Sequence, residues 1–207
     1  MSKAVKVGDK ILGGGNPVLI QSMLNVKTSK IAEVIEQIEE LYEMGCDIIR
    51  VSVKDEEDAL AIKQIKKNIS IPLVADIHFN YKFALSYIDS GADKIRINPG
   101  NIGSEQNVRE VAQALKANKV AVRVGSNSGS VEKEMLLKYG KSEISLAESA
   151  LKNVAILEKY GVEDIVISAK ASSVPLTVAT YRYLHGKTDY PLHVGVTEAG
   201  TDKMGIV

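Results

Sequence analysis

The feature that most constrains this chain is an alternation of short apolar segments with longer amphipathic ones. It runs from a Gly-rich turn at Gly13-Gly14-Gly15-Asn16-Pro17 to the carboxyl end. Segments 18–23, 48–53, 73–77, 94–97, 120–124, 165–168 and 192–196 have the length and β-branched content of buried strands, seven in all. Between them the spacing is helical, clearest in Ile31, Val34, Ile35, Ile38, Leu41 and Tyr42, which share one helix face. Thr28 or Ser29 is placed to cap that helix and Gly45 to close it. Another helix opens at Ser145-Leu146-Ala147-Glu148, where serine and glutamate can satisfy each other's amides; it buries Leu151, Val154 and Leu157 and ends near Gly161. Asp55, Asn80, Ser104 and Ser172 are further helix starts.

A weak internal repeat supports one architecture throughout. Gly45-Cys46-Asp47-Ile48-Ile49-Arg50 is echoed by Gly91-Ala92-Asp93-Lys94-Ile95-Arg96, and more loosely by Gly161-Val162-Glu163-Asp164-Ile165-Val166. Each marks a helix stop followed by a strand start. Regular β-α alternation implies a parallel sheet, and repeats of this length favour a TIM-type (β/α) barrel over an open doubly wound sheet. No Gly-x-Gly-x-x-Gly follows the first strand, which counts against dinucleotide binding. The expected fold is an incomplete α/β barrel with about seven strands present and the eighth missing.

Composition narrows the partners. The 207 residues carry 26 Lys+Arg and 26 Asp+Glu, so nothing favours a general nucleic-acid or membrane-surface binder. The single cysteine, Cys46, can neither form an internal disulfide nor ligate an iron–sulfur cluster alone. No stretch of about eighteen apolar residues occurs, and the amino terminus lacks a signal-peptide pattern. A reduced, cytoplasmic setting is the expectation.

In a (β/α) barrel, reactive groups come from the carboxyl ends of the strands. Here those positions hold Gln21 and Ser22; Arg50 and Ser52; Asp76 and His78; Arg96 and Asn98; Arg123, Ser126 and Asn127; Ser168 and Lys170; then Thr197 and Glu198. One arginine in a strand could simply pair with a neighbouring carboxylate. Three at equivalent positions ask for an anion, because buried guanidinium groups are costly unless matched, and their planar fork suits two phosphate oxygens. A multiply charged phosphate ester is the simplest match. In Asp76-Ile77-His78 the strand alternation puts both polar side chains on one side, where either can handle a proton. Glu198 is the best general-acid candidate, although it could merely balance the arginines.

Two Gly-rich loops complete the ring. In Asn98-Pro99-Gly100-Asn101-Ile102-Gly103 and Gly125-Ser126-Asn127-Ser128-Gly129-Ser130, backbone amides could face an anion, though such residues also serve turns for conformational reasons alone. Cys46 reads as a small buried residue at the opposite end. Lys54 to Asp58 reads as a solvated helix start, with Lys63, Lys66 and Lys67 its basic end.

Taken in order, Gln21-Ser22-Met23, Arg50-Val51-Ser52, Ala75-Asp76-Ile77-His78, Arg96 through Gly103, Arg123 through Ser130, Ser168-Ala169-Lys170-Ala171-Ser172 and Gly195-Val196-Thr197-Glu198-Ala199-Gly200 closely resemble the amino-terminal barrel of the 4-hydroxy-3-methylbut-2-en-1-yl diphosphate synthase family. The motifs cover nearly the whole chain. The resemblance implies the penultimate step of the non-mevalonate isoprenoid pathway, the reductive opening of 2-C-methyl-D-erythritol 2,4-cyclodiphosphate with loss of water. By that analogy Arg50, His78, Arg96, Asn98, Arg123, Asn127 and Lys170 bind substrate, chiefly its diphosphate. Asp76 and Glu198 are catalytic, with Glu198 the proton donor to the departing hydroxyl.

The resemblance further implies two electrons delivered through a 4Fe-4S cluster, reduced by flavodoxin or ferredoxin. In the family this cluster is held by three cysteines and a glutamate of a carboxyl-terminal domain, and the enzyme forms a homodimer. Residues 1–207 then constitute a truncated substrate-binding barrel without that iron–sulfur domain, ending at Met204-Gly205-Ile206-Val207 before the eighth strand. Such a chain binds substrate without turning it over. Two other readings fit the arginines and loops. One is a metal-independent transferase or lyase akin to pterin-binding barrels; the other is a non-enzymatic module for phosphorylated ligands.

Overall fold

A computed structural model describes residues 1–77 and 80–197. The expected positions His78 and Glu198 therefore lie outside the described residues, as do the last residues up to Val207.

The chain opens with an antiparallel hairpin, β1 (Ala4–Val7) and β2 (Lys10–Gly13). Six parallel strands follow in sequential order: β3 (Gln21–Met23), β4 (Ile48–Ser52), β5 (Leu73–Asp76), β6 (Lys94–Ile97), β7 (Ala121–Asn127) and β8 (Ile165–Lys170). Each pairs with the next, which is the neighbour order of a barrel wall. The helices between them are α1 (Ile31–Glu43), α2 (Glu56–Asn68), α3 (Tyr81–Asp89), α4 (Glu105–Asn118), α5 (Lys133–Tyr139), α6 (Glu143–Glu158) and α7 (Val174–His185).

The seventh expected strand is present only as a single parallel bridge, Ile167 to Leu192, braced by Ile167 N–H donating to Pro191 O and His193 N–H to Ile167 O. The first is shorter than expected. Val18 and Ile20 stay outside the ladder and exposed, and pairing begins at Gln21. Among the described residues no strand pairs with β3 on its other side, so the described wall is open between β3 and the Leu192 segment.

The repeated Gly-x-Asp has a double use. Gly45 and Gly91 sit at φ +90° and +87°, ending α1 and α3 in a backbone conformation that favours glycine, with open space where a Cβ would stand. Each following aspartate then clamps the preceding strand. Asp47 Oδ2 accepts from Ile20 N–H at 2.9 Å, and Asp93 Oδ2 accepts from Leu73 N–H at 2.8 Å and from the Lys66 ammonium at 2.6 Å.

Asp55, Asn80 and Ser104 cap α2, α3 and α4 as expected. Other boundaries differ. Neither Thr28 nor Ser29 caps α1; its N-cap is Lys30, and the Thr28 hydroxyl instead donates to Ser52 O, tying the loop to β4. Helix α6 begins earlier, with Ser142 and Ser145 exchanging capping bonds, so Ser145 is the third residue of the box rather than its first. There Val154 and Leu157 are buried while Leu151 is only partly so. Ser173, not Ser172, caps α7. The stretch Lys54 to Asp58 is not merely solvated either: Asp58 is buried and accepts from the Ser29 and Lys54 amides.

Strand alternation divides the apolar residues into two cores. Outward-facing Ile49, Val51, Leu73, Ala75, Ile95, Ile97, Val122, Val124, Ile165 and Ile167 pack under the helices. Inside the barrel, Ile48, Val74, Ala121 and Val166 form one layer, closed from below by Val5 and Val7 of the hairpin. Two residues further along each strand the inward positions become Arg50, Asp76, Arg123 and Ser168. The barrel is apolar at its floor and charged towards its mouth.

Candidate functional site

Above the apolar layer lies a cavity of about 180 Å³, lined by Arg50 from β4, Asp76 from β5, Arg96 from β6, Arg123 and Asn127 from β7, Ser168 and Lys170 from β8, and Thr197. The parallel register produces this convergence. Asp76 is level with Arg96, Arg96 with Arg123, and Asn127 with Lys170, so one rise of the sheet carries all of them to the same end.

Asp76 organises the cations. Its Oδ1 accepts from Arg96 Nη1 at 3.2 Å, and its Oδ2 stands 3.7 Å from Arg50 Nε, inside ion-pair distance. Among the described lining residues it is the only carboxylate facing three guanidinium groups and an ammonium. Arg123 is 1% exposed, and neither its Nε nor its Nη1 has a hydrogen-bond partner. A buried donor left unpaired is expensive, so these two nitrogens mark where an anionic oxygen would be held.

The electrostatics agree. Burial, reinforced by Arg50 and Arg96, pushes the Arg123 guanidinium down to about 9. Burial and then Arg123, Arg50 and Arg96 push Lys170 down to about 8. Arg50 is likewise lowered, by burial first, against the attraction of Asp76. An anion in the cavity reverses each of these penalties.

The glycines leave room for the cations. A Cβ on Gly125 would stand 2.8 Å from Arg96 Nε, and one on Gly195 would stand 3.0 Å from Lys170 Nζ. The two Gly-rich loops do less than expected. The amides of Gly100 and Asn101 are spent within the protein: Gly100 N–H donates to Asn98 Oδ1 and Asn153 Oδ1, both at 3.1 Å, and Asn101 N–H donates to Asn98 O. Asn98 accordingly caps its own turn and does not line the cavity. Ser126 faces outward to a buried hydroxyl pair with Ser149, whereas Asn127 lines the cavity.

Sequence reasoning missed the layer just beneath. Lys94 is 1% exposed and donates to Gln21 Oε1 at 3.1 Å. Within a strand it reads as an ordinary surface lysine, and only its two-residue spacing from Arg96 marks it as inward-facing. His193 is also missed. Burial and the cations Arg123, Lys170, Lys94 and Arg50 depress its imidazole to about 2, so it stays neutral.

A larger cavity of about 460 Å³ lies at the barrel opening, bounded by Leu12, Leu19, Gln21, Lys170, Leu192 and His193 among others. Its walls are mostly apolar or backbone, and the converging charges lie in the smaller one.

Cys46 is buried beside the base of β4, its thiol donating to Ile48 O at 3.2 Å, at the end remote from the cations. Among the described residues, no group of three or more His, Cys, Asp or Glu could hold a metal ion. No described helix is long and apolar enough to cross a membrane.

Several solved structures share the fold. A 3-dehydroquinate dehydratase from Geobacillus kaustophilus superposes with TM-score 0.67 at 16% identity, covering 99% of this chain and 82% of that one. A dihydropteroate synthase from Xanthomonas albilineans gives 0.63 at 13% identity, covering 100% and 80%. At these identities the likeness is one of architecture. Sequence relatives are nearer. A protein from Caldanaerobacter subterraneus subsp. tengcongensis named 4-hydroxy-3-methylbut-2-en-1-yl diphosphate synthase (flavodoxin) is 54% identical over 208 residues, covering 100% of this chain and 59% of that protein. One of the same name from Fusobacterium nucleatum subsp. nucleatum is 48% identical over 207 residues, covering 100% and 58%. The chain thus spans somewhat over half the length of these relatives. The family described as the GcpE TIM-barrel domain matches residues 2–207, and the chain belongs to that family.

Proposed function

We propose that this chain is the substrate-binding barrel of a 4-hydroxy-3-methylbut-2-en-1-yl diphosphate synthase, which reductively opens 2-C-methyl-D-erythritol 2,4-cyclodiphosphate. The observation that carries this reading is the convergence of Arg50, Arg96, Arg123 and Lys170 on one cavity, with two buried Arg123 nitrogens unpartnered. A cyclic diphosphate supplies two anionic centres to that cluster. Arg123 and Lys170 hold diphosphate oxygens and Asn127 adds a neutral hydrogen-bonding group beside them. Arg50 and Arg96 bridge from the diphosphate to Asp76, which fixes their orientation and stands towards the carbon skeleton.

His78, two residues past the end of β5 in the sequence, belongs to the substrate-binding set in the family reading, and Asn98 serves that set by shaping the loop after β6. Glu198 is the proton donor to the departing hydroxyl. Its neighbour Thr197 lines the cavity, and Thr197 N–H donates to Ala171 O just beyond β8.

The reaction consumes two electrons, which in the family reading come from a 4Fe-4S cluster reduced by flavodoxin or ferredoxin. The residues described here do not fit that cluster, since Cys46 is buried at the far end of the barrel. The cluster belongs to a separate carboxyl-terminal domain of the full-length, dimeric enzyme. Residues 1–207 by themselves bind without turnover.

Calorimetric titration tests the assignment. The cyclodiphosphate binds at least tenfold more tightly than inorganic diphosphate if the cavity recognises the ring as well as its charge. Equal affinities would favour a general phosphate-binding module. Reduction of the cyclodiphosphate by the iron-free 207-residue protein with dithionite would overturn the division of labour.

A further inference from the structure

Lys94 is the one buried ammonium in the barrel with no carboxylate within ion-pair distance among the described residues. The groups facing it come from every wall. Gln21 of β3 supplies a neutral amide oxygen at 3.1 Å. Arg50 of β4 and Arg123 of β7 repel it. Asp76 of β5 is engaged by Arg50 and Arg96. Lys170 of β8 and neutral His193 stand beyond, in the same electrostatic field. Level with it on the neighbouring strands, its register partners Val74 and Ala121 are apolar.

An ammonium so placed is desolvated, holds one neutral acceptor and is crowded by like charge. Its charged form is favoured when negative charge arrives nearby. The cavity one layer above it is where such charge enters.

We propose that Lys94 is a positioning residue that takes a proton from solvent as a dianionic phosphate ester occupies the cavity, so that ligand binding and proton uptake are one equilibrium. This rests on the phosphate-ester reading of the cavity. Lys94 does not touch the ligand; it supplies charge from beneath the guanidinium groups and holds Gln21 at the barrel opening. Burial, with Arg123 and Arg50, depresses the Lys94 ammonium to about 7 in the free protein, whereas Lys170 stands at about 8. Above pH 7 the free protein lacks the Lys94 proton and the complex holds it, so affinity falls as pH rises, by up to about tenfold per pH unit for one linked proton.

The test is calorimetric titration of the 207-residue protein with the cyclodiphosphate at pH 8, in buffers of different ionisation enthalpy. Each phosphorus of this ligand carries a single strongly acidic oxygen, so the ligand exchanges no proton there. The dependence of observed heat on buffer reads proton uptake directly. Wild type is expected to take up about 0.9 proton more than Lys94→Met. Equal uptake in the two assigns the proton to another group, and buffer-independent heat in wild type leaves no linkage; either result overturns the proposal. Should Lys94→Met fail to fold, Lys94→Arg, which keeps a permanent charge at that place, decides: proton uptake lower than in wild type supports Lys94, and equal uptake overturns the proposal. Absence of any binding heat refutes the phosphate-ester reading itself, and the proposal falls with it.

Discussion

The two ends of the barrel interior are built from the same strands and obey opposite rules. At the floor, Ile48, Val74, Ala121 and Val166 close against Val5 and Val7 of the hairpin, every side chain buried and none polar. One layer up, the same strands present Arg50, Asp76, Arg123 and Ser168, with Arg96 from β6. The floor gains stability from each methyl group it removes from water. The mouth spends stability by desolvating cations in excess of their one described counter-charge, a debt that an anionic ligand settles. A barrel can carry such a mouth because its floor and its helix-covered outer core hold the strands in register independently.

Substitutions at matched depth separate the two ends. The largest expected effect is at Arg123. Arg123→Met weakens cyclodiphosphate binding by about 3 kcal/mol, roughly 150-fold, in calorimetry. The same change leaves the ligand-free protein as stable as wild type or more stable, by up to about 3 kcal/mol in urea unfolding, since it removes a buried charge whose Nε and Nη1 are unpaired. A large loss of stability would mean that the mouth is structural after all. Ile48→Ala is the converse: it opens a cavity in the floor and costs about 3 kcal/mol of stability, while affinity stays within about twofold. A parallel collapse of affinity would show that floor and mouth are not separable.

The dependence on pH sharpens the contrast further. Lys94 is held near 7 in the folded chain against its ordinary 10.5, chiefly by burial. Between those values the unfolded chain binds more protons than the folded one, so the stability of the ligand-free protein rises with pH above about 7. The slope contributed by this one group approaches about 1.4 kcal/mol per pH unit. Urea midpoints at pH 7, 8 and 9 read it, and Lys94→Met should flatten the rise. Stability and affinity then run in opposite directions with pH, as they must if the mouth is strained by charge that its ligand relieves.

Sequence patterning read the outer half of this molecule better than the inner half. The β-α alternation, the parallel sheet and most helix starts follow from local periodicity and capping, which depend on neighbours in sequence. The hairpin β1–β2 was not anticipated, because it is a plug whose purpose appears only once there is a floor to close. Short α5 had too few residues to show a period. Arg50, Asp76, Arg96, Arg123, Asn127 and Lys170 were identifiable at strand ends and do share one cavity. Lys94 and His193 escaped because their importance lies in being inward-facing beneath that cavity, a property of register across strands rather than of any short motif. Asn98 shows what a motif alone does not disclose: its side chain caps the turn it belongs to and lies off the cavity lining in this structure.

The mildest prediction tests how finely the mouth is fitted. Gly125 lies on β7 between Arg123 and Asn127, and a Cβ there would meet Arg96 Nε at 2.8 Å, Arg96 Nη2 at 3.2 Å and Ser168 Oγ at 3.3 Å. All three are side-chain atoms, and Gly125 has no left-handed backbone requirement among the positive-φ glycines. Gly125→Ala therefore folds with a stability change below about 1 kcal/mol, because the obstacle is the far end of a flexible side chain rather than the backbone. The displaced guanidinium cannot keep both its bond to Asp76 and its place in the cavity. Affinity for the cyclodiphosphate falls about tenfold, a loss of about 1.4 kcal/mol, with stability nearly untouched. If affinity does not change, Arg96 has room to move that the geometry denies it, and its part in holding the ligand passes to Arg50 and Arg123.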